Sequence, residues 1–282
     1  MTNKDTQIEK ADQFRKLHHS GKMLVLPNIW DALGGILLES LGYPAIATAS
    51  AAVAWANGYN DGENIPFDDL LPILKKIASH VNIPVTADVE SGYADNDIQL
   101  QQNIKRLIEA GIVGINIEDT NKKNKTLNTI EAQCNRIRLI KRTGDEMGIP
   151  VFINARTDVF LHGKVFTTPV SQFEEILKRG LAYKEAGADC FFPIALKQKE
   201  DIEQLITLLK MPINIITIPG VPDLKILSKA GVARVSLGPS LLKIAIKAMK
   251  NIAMQLQDYD GLSAITANEI TSDYLKELIN KK

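Results

Sequence analysis

The sequence predicts an α/β fold: an eight-stranded parallel β/α barrel with a helical C-terminal extension. Three observations carry that prediction. Short apolar runs alternate with amphipathic stretches along nearly the whole chain, the pattern of successive βα units. The phrases Glu109-Ala110-Gly111, Glu185-Ala186-Gly187-Ala188-Asp189 and Lys229-Ala230-Gly231-Val232 look alike, and each precedes an apolar run. No glycine-rich phosphate fingerprint follows the first strand, which argues against an open dinucleotide-binding sheet.

Strands are expected at Met23–Leu26, Ala45–Ala49, Val85–Val89, Gly114–Ile117, Val151–Asn154, Cys190–Ile194, Ile213–Ile218 and Arg234–Leu237, runs too short and too apolar for surface helices. Helical periodicity fills the gaps, over Asp31–Leu41, Phe67–His80, Asn96–Ala110, Ile130–Met147, Ser171–Ala186, Glu200–Leu209, Asp223–Lys229 and Ser240–Leu256. Gly42, Gly111, Gly148, Gly187 and Gly231 stand where helix ends take a left-handed cap. After Tyr259 the pair Asp260-Gly261 breaks the pattern, and a short helical tail runs through Leu278. No long linker divides the chain. One domain spanning 1–282 is expected, with the barrel at about 14–259 and the tail at about 260–282.

The bulk numbers fit this. A length of 282 residues suits one barrel, and 45% hydrophobic residues suffice for its core. Lysine plus arginine and aspartate plus glutamate both number 33, so no broad basic footprint for nucleic acid is expected. Met1 to Lys10 is polar and lacks a signal-peptide core. No apolar run approaches the roughly 20 residues needed to span a bilayer. The expectation is a cytoplasmic protein with no membrane partner. Cys134 and Cys190 form no spaced framework and are expected as buried free thiols.

In a β/α barrel the carboxyl ends of the strands meet at one mouth, so ionisable residues there converge. Three expected strands end in such residues: Ala87-Asp88-Val89-Glu90-Ser91-Gly92, Asn116-Ile117-Glu118-Asp119 and Asn154-Ala155-Arg156-Thr157-Asp158. Asp88 and Glu90 are two apart and would point the same way on a regular strand. Paired carboxylates raise each other's pKa, and a hard divalent cation such as Mg²⁺ removes that problem. The alternative is a helix cap after Gly92, although Asp95, Asn96 and Asp97 already supply candidates. Glu118 shares its phase with Asn116, which suits a metal-water ligand or an acid/base group. Asp119 faces the other way and is expected to hold loop backbone. Arg156 offers a planar fork for a carboxylate or phosphate, or it pairs with Asp158. Thr48-Ala49-Ser50-Ala51-Ala52 is small enough for backbone amides to approach an anion, or simply to pack. Asp61, in Gly58-Tyr59-Asn60-Asp61-Gly62, suits a turn equally well. His18, His19, His80 and His162 lack ligand spacing and are expected at the surface or as caps.

Together these segments resemble the isocitrate lyase/phosphoenolpyruvate mutase superfamily from about Phe14 to Met254. The resemblance rests on Leu26-Pro27-Asn28-Ile29-Trp30-Asp31-Ala32, Asp61-Gly62, Ala87 to Tyr93, Ile117-Glu118-Asp119 and Asn154 to Asp158, in that order. It implies a β/α barrel, bound Mg²⁺ (with Mn²⁺ as a substitute), and a homodimer or homotetramer formed by exchanging a C-terminal helix. It also implies α-keto acid chemistry through an enolate-like state. By position, Asp61, Asp88, Glu90 and Glu118 match the acidic metal shell. Glu90 stands where many members carry Asp. Arg156 matches the substrate-gripping arginine. Thr48, Ser50 and Ala51 fall where the keto-acid carboxylate is held, without the usual Ser-Gly pair.

The departures bear on the substrate. Isocitrate and methylisocitrate lyases carry a Lys-x-Cys-Gly-His loop, whereas here the stretch is Thr120-Asn121-Lys122-Lys123-Asn124-Lys125-Thr126-Leu127-Asn128. Lys122-Lys123-Asn124 imitates part of the phosphonomutase loop, but Lys125 follows. Ile194 replaces the lyase Glu after Phe192-Pro193. The expected function is a Mg²⁺-dependent enzyme of carbon–carbon lyase or oxaloacetate-type decarboxylase chemistry, with Glu118 and Arg156 as its catalytic residues. The alternatives are phosphonopyruvate/phosphoenolpyruvate-type phosphorus–carbon chemistry and a non-catalytic keto-acid-binding relative.

Overall fold

The computed structural model describes residues 3–163 and 165–280. In chain order its elements are α1 (Asn3–His18), β1 (Leu24–Leu26), β2 (Asn28–Ile29), α2 (Ala32–Ser40), β3 (Ile46–Thr48), α3 (Ser50–Ala56), α4 (Phe67–Ser79), β4 (Val85–Asp88), α5 (Asp97–Glu109), β5 (Gly114–Glu118), α6 (Ile130–Met147), β6 (Phe152–Thr157), α7 (Pro169–Glu185), β7 (Cys190–Pro193), α8 (Lys199–Leu209), β8 (Asn214–Ile216), α9 (Leu224–Lys229), β9 (Arg234–Ser236), α10 (Ser240–Gln257), α11 (Leu262–Thr266) and α12 (Ser272–Asn280). A short 3₁₀ turn, Val159–His162, follows β6.

Each expected strand is present, and all ladders are parallel. They form two sheets, ordered β2-β3-β4-β5-β6-β7 and β1-β9-β8, in place of one continuous closed ladder. The breaks fall at prolines, which have no N–H to give to a ladder. Pro27 separates β1 from β2, so one extended segment serves both sheets: Leu24 to Leu26 pair with β9, and Asn28 and Ile29 with β3. The other junction lies at Pro193, whose nitrogen cannot continue the ladder past the single parallel bridge Phe191↔Ile213, in which Phe191 N donates to the Pro212 carbonyl at 2.9 Å.

Local chemistry explains the helix boundaries. Asp31 caps α2 by accepting from Gly34 N at 2.7 Å, and Asn96 caps α5 by accepting from Gln99 N at 3.0 Å. With Asn96 in that role, Asp88 and Glu90 are not needed as caps. The five glycines expected at helix ends all have positive φ. Helix α4 turns Leu70, Leu74 and Ile77 inward, where each is buried. Such burial is worth roughly 1.5–3 kcal/mol per side chain.

Two features of the N-terminal segment were not legible beforehand. The N-terminal stretch is helical from Asn3, well before the boundary expected near Phe14. Phe14 packs edge-on against Phe152 in a small core of its own with Ala11, Leu24, Leu26 and Val113. His18, expected at the surface or as a cap, is buried against Phe14 and Phe152. Its Nδ1 lies 2.8 Å from the Phe14 carbonyl, and its Nε2 has no partner. Burial, reinforced by the charge of Arg234, lowers its pKa from the usual 6.5 to about 3. As pH falls below 6.5 the unfolded chain binds this proton first, so a contribution fully present above pH 6.5 is lost progressively down to about pH 3. At pH 5 the loss is about 2 kcal/mol. Urea unfolding at pH 7 and pH 5 should show it in the wild type and not in His18→Leu. Identical pH dependence in both proteins would remove the assignment.

The tail is helical, as expected. Helix α12 lies against α2 of the same chain and buries Leu278. Cys134 and Cys190 are both buried and unpaired. Among the described residues no helix is long and apolar enough to cross a membrane.

Candidate active site

A cavity of about 220 Å³ opens where the strands end, and Thr48, Ser50, Ala51, Asp61, Asp88 and Arg156 all contribute to its lining. The ladder register sets the arrangement. Asp88 stands opposite Asn116, Asn116 opposite Asn154, and Glu118 opposite Arg156.

Asp88 is the most constrained of these acids. Its Oδ2 accepts from the Ser50 hydroxyl at 2.9 Å and from Ser50 N at 3.2 Å. Its Oδ1 accepts from Asn116 Nδ2 at 2.8 Å and from Glu90 N at 3.4 Å. Thr48 Oγ1 receives the Asp88 backbone N–H at 3.1 Å. The small hydroxylic segment after β3 therefore lines the cavity, but Ser50 directs its hydroxyl and N–H to Asp88 rather than to an open anion site. Ser50 also opens α3, a helix not expected from the sequence.

Glu90 departs from expectation. The strand ends at Asp88, and Glu90 sits in the turn that follows with φ of 49°, so the alternation that would aim it beside Asp88 does not apply. Its side chain is buried, within 3.3 Å of the Tyr93 hydroxyl, and is absent from the cavity lining. Burial first, then the charges of Asp88, Asp61 and Glu63, push its pKa up to about 8. A left-handed non-glycine residue costs of order 1–3 kcal/mol and concentrates at functional sites. Tyr93 and Glu63, with φ of 53° and 57°, share this conformation nearby.

Glu118 is also outside the lining, drawn to Arg156 Nη1 at 3.0 Å. Burial raises its pKa well above the carboxylate range; Arg156 opposes this, while Asp158, Asp88 and Glu90 add to it. Arg156 makes both contacts weighed for it. Its Nε donates to Asp158 at 2.6 Å, and Asp158 in turn accepts from the Thr120 hydroxyl at 2.6 Å. Burial works against its charge, but Glu118, Asp158 and Asp88 overcome this and raise its pKa. Asp61 lines the cavity, its pKa raised by burial and by Asp88. The expected convergence of four acids on one mouth is thus partial: Asp61 and Asp88 line the cavity, and Glu90 and Glu118 do not.

Asp119 does what its opposite phase implied. It is fully buried, accepting from Asp158 N, the Thr157 and Tyr183 hydroxyls and Arg179 Nη1. Because Asp158 orients Arg156, Asp119 supports the cavity from behind. Asp119→Ala strands a buried guanidinium and should cost about 3–5 kcal/mol in urea unfolding. A cost below about 1 kcal/mol would show that the pair is dispensable.

The Thr120–Asn128 loop is pinned by a Thr120↔Leu127 bridge. Lys122 pairs with the buried Glu63 at 3.0 Å, and Glu63 also accepts from the Ser91 hydroxyl at 2.6 Å. Glu63 and Arg234 bear on the site and were not singled out in the sequence, and Asn116 was noted there only for its phase. Asn116 shares the inward phase of Glu118, which was the available signal. Glu63 and Arg234 carried none.

The donor set fits a hard cation. All candidate groups are oxygen ligands, and Asp61, Glu90 and Glu118 are all biased toward protonation by burial and mutual repulsion, which a cation would relieve. Among the described residues no three His, Cys, Asp or Glu side chains are grouped closely enough to ligate one ion.

Parallel β/α architecture with an acid- and arginine-lined cavity at the strand ends is the arrangement in which β/α folds place their binding sites. The family model for phosphoenolpyruvate phosphomutase matches residues 14–257, and the chain belongs to that family. It is 25% identical over 264 residues to the 2-methylisocitrate lyase of Halalkalibacterium halodurans, covering 90% of this chain and 84% of that one. It is 27% identical over 271 residues to the oxaloacetate decarboxylase of Pseudomonas entomophila, covering 93% and 90%. A crystal structure from Burkholderia cenocepacia J2315, provisionally described as a phosphonomutase, superimposes with a TM-score of 0.83 at 35% identity over 88% of this chain and all of that one.

Proposed function

We propose that this protein is a Mg²⁺-dependent enzyme that makes or consumes a small α-keto acid, by carbon–carbon cleavage or decarboxylation, in one closed eight-stranded β/α barrel. The observation that carries this reading is Asp61, Asp88 and Arg156 lining one cavity, with Glu118 ion-paired to Arg156. When bound, Mg²⁺ supplies Lewis-acid stabilisation of negative charge developing on a keto oxygen. Asp61, Asp88, Glu90 and Glu118 would hold the ion, Asp88 being the most firmly oriented of the four. Arg156 keeps its Nη2 donors for the substrate carboxylate while Asp158 and Glu118 hold its plane. Thr48, Ser50 and Ala51 shape the wall beside that carboxylate. Phe192, Ile194 and Ile216 give the cavity an apolar side that limits water. Glu118, buried and inclined to bind a proton, is the acid/base candidate at its Oε atoms.

The 2-methylisocitrate lyase and oxaloacetate decarboxylase relatives support carbon–carbon chemistry. The absence of cysteine and histidine from Thr120–Asn128, and Ile194 in place of the lyase Glu, favour a decarboxylase-like reaction over tricarboxylate cleavage. The 35% identical structure favours phosphorus–carbon chemistry as a second reading, because the same groups would serve it. Helix α10 leaves Ile244, Ile246, Met249 and Met254 exposed, which supports a homodimer or homotetramer that exchanges its C-terminal helices. A substrate panel with Mg²⁺ separates the readings. Pyruvate release from oxaloacetate or 2-methylisocitrate is the expected result. Conversion of phosphonopyruvate alone would establish the second reading, and keto-acid binding without turnover would make the protein a binding relative.

A further inference from the structure

Arg234 is the most unusual charge in the molecule. It is 2% exposed, yet among the described residues no carboxylate lies within ion-pair distance of it. Its Nε donates to the Ser236 hydroxyl at 3.2 Å, and its Nη1 has no partner. Ser236, already accepting from Arg234, must give its own proton onward, and Asn214 Oδ1 accepts it at 3.0 Å. That relay fixes the amide orientation and leaves a second buried donor, Asn214 Nδ2, unpaired as well. Arg234 and Asn214 are direct partners in the β8–β9 ladder, and Arg234 and Ser236 line the same cavity as Arg156 and Asp88.

An uncompensated buried cation costs several kcal/mol, a cost that an anion bound beside it would offset. Arg234 opens its strand, two residues before Ser236, so its backbone lies about 6–7 Å deeper than the strand end. Arg156, by contrast, is the fifth of the six residues in β6, close to the strand's carboxyl end. The cavity therefore has one guanidinium near its mouth, already shared by two carboxylates, and a second on its deeper side with no carboxylate at ion-pair distance, Asp88 acting on it only from farther off.

The geometry points to Arg234, held by Ser236 and Asn214, as the recognition group for a second anionic substituent of the substrate, which makes the natural ligand a compact dianion such as an α-keto diacid or a phosphonate-bearing keto acid. This rests on the keto-acid reading above and adds to it: a simple monocarboxylate would leave Arg234 unmatched. Burial lowers the pKa of Arg234 to about 10, consistent with a cation lacking an anion, and leaves it charged at neutral pH.

The test is calorimetric binding, with Mg²⁺ present, of pyruvate, oxaloacetate, phosphonopyruvate and succinate to the wild type and to Arg234→Met. Wild type should prefer the dianions to pyruvate. Arg234→Met should weaken oxaloacetate or phosphonopyruvate by about 30-fold or more and pyruvate by less than about 2-fold. The dianion that loses more identifies the substituent as carboxylate or phosphonate. The melting temperature adds a readout that a structural arginine would fail: removing an unmatched charge should leave it unchanged or raised. Equal weakening of pyruvate and oxaloacetate, or unchanged affinity for both, would overturn the proposal and leave Arg234 a partner of buried water only. So would a lowered melting temperature with unchanged selectivity. Wild-type protein that binds succinate through Arg234 but neither keto acid would keep this subsite and remove the keto-acid reading instead.

Discussion

Asp88→Asn lowers turnover by at least about 10-fold and weakens Mg²⁺ binding in the same protein. Four hydrogen bonds converge on the Asp88 carboxylate, two on each oxygen, and all four come from donors. An amide has only one acceptor atom, so its NH₂ group must face either the Ser50 donors or Asn116 Nδ2 and Glu90 N. The substitution removes the charge a cation needs and turns the remaining oxygen away from one set of partners. Mg²⁺ titration by calorimetry gives the direct readout, with far-UV circular dichroism as the check that the fold survives. An unchanged Mg²⁺ affinity would remove Asp88 from the ligand set.

Arg156→Lys gives the second large effect. The guanidinium meets Glu118 and Asp158 with different nitrogens at 3.0 and 2.6 Å and still has donors left over. A lysine ammonium is a single point charge on a flexible stem, and it cannot hold both acids and a carboxylate in one plane. The apparent dissociation constant for an α-keto acid should rise by about 10-fold or more, equivalent to roughly 1.4 kcal/mol of lost binding. Wild-type affinity in this variant would place Arg156 outside the substrate site, as a structural partner of Asp158 and Glu118 alone.

Much of the fold was legible because each strand is a short apolar run bounded by a glycine turn, and both signals are local. The strands at Val85, Gly114 and Cys190 begin where expected. The division into two sheets was harder to foresee. It depends on whether neighbouring strands can still bond past Pro27 and Pro193, and that is a property of pairing rather than of either segment. Helix α1 was missed because Asn3 to Lys10 is polar, and only Ala11 and Phe14 betray its buried face.

At the site, strand phase succeeded wherever the strand continued. Asp88, Asn116 and Arg156 take the relative positions that alternation requires, and Asp119 points away from Glu118 to bind loop backbone. Phase failed at Glu90, because the chain leaves the strand one residue after Asp88 and enters a left-handed turn. Arg234 was invisible for a different reason: an arginine at the start of a strand gives no local clue that its guanidinium will lie buried without an anion.

The central claim is that a divalent ion held beside Asp88 is what engages an α-keto acid in this cavity. Calorimetric titration of pyruvate into wild-type protein, with Mg²⁺ saturating and then with EDTA, tests it most directly. The expected result is saturable binding that disappears with chelation and returns on adding Mg²⁺. Equal pyruvate affinity with and without the metal would contradict it.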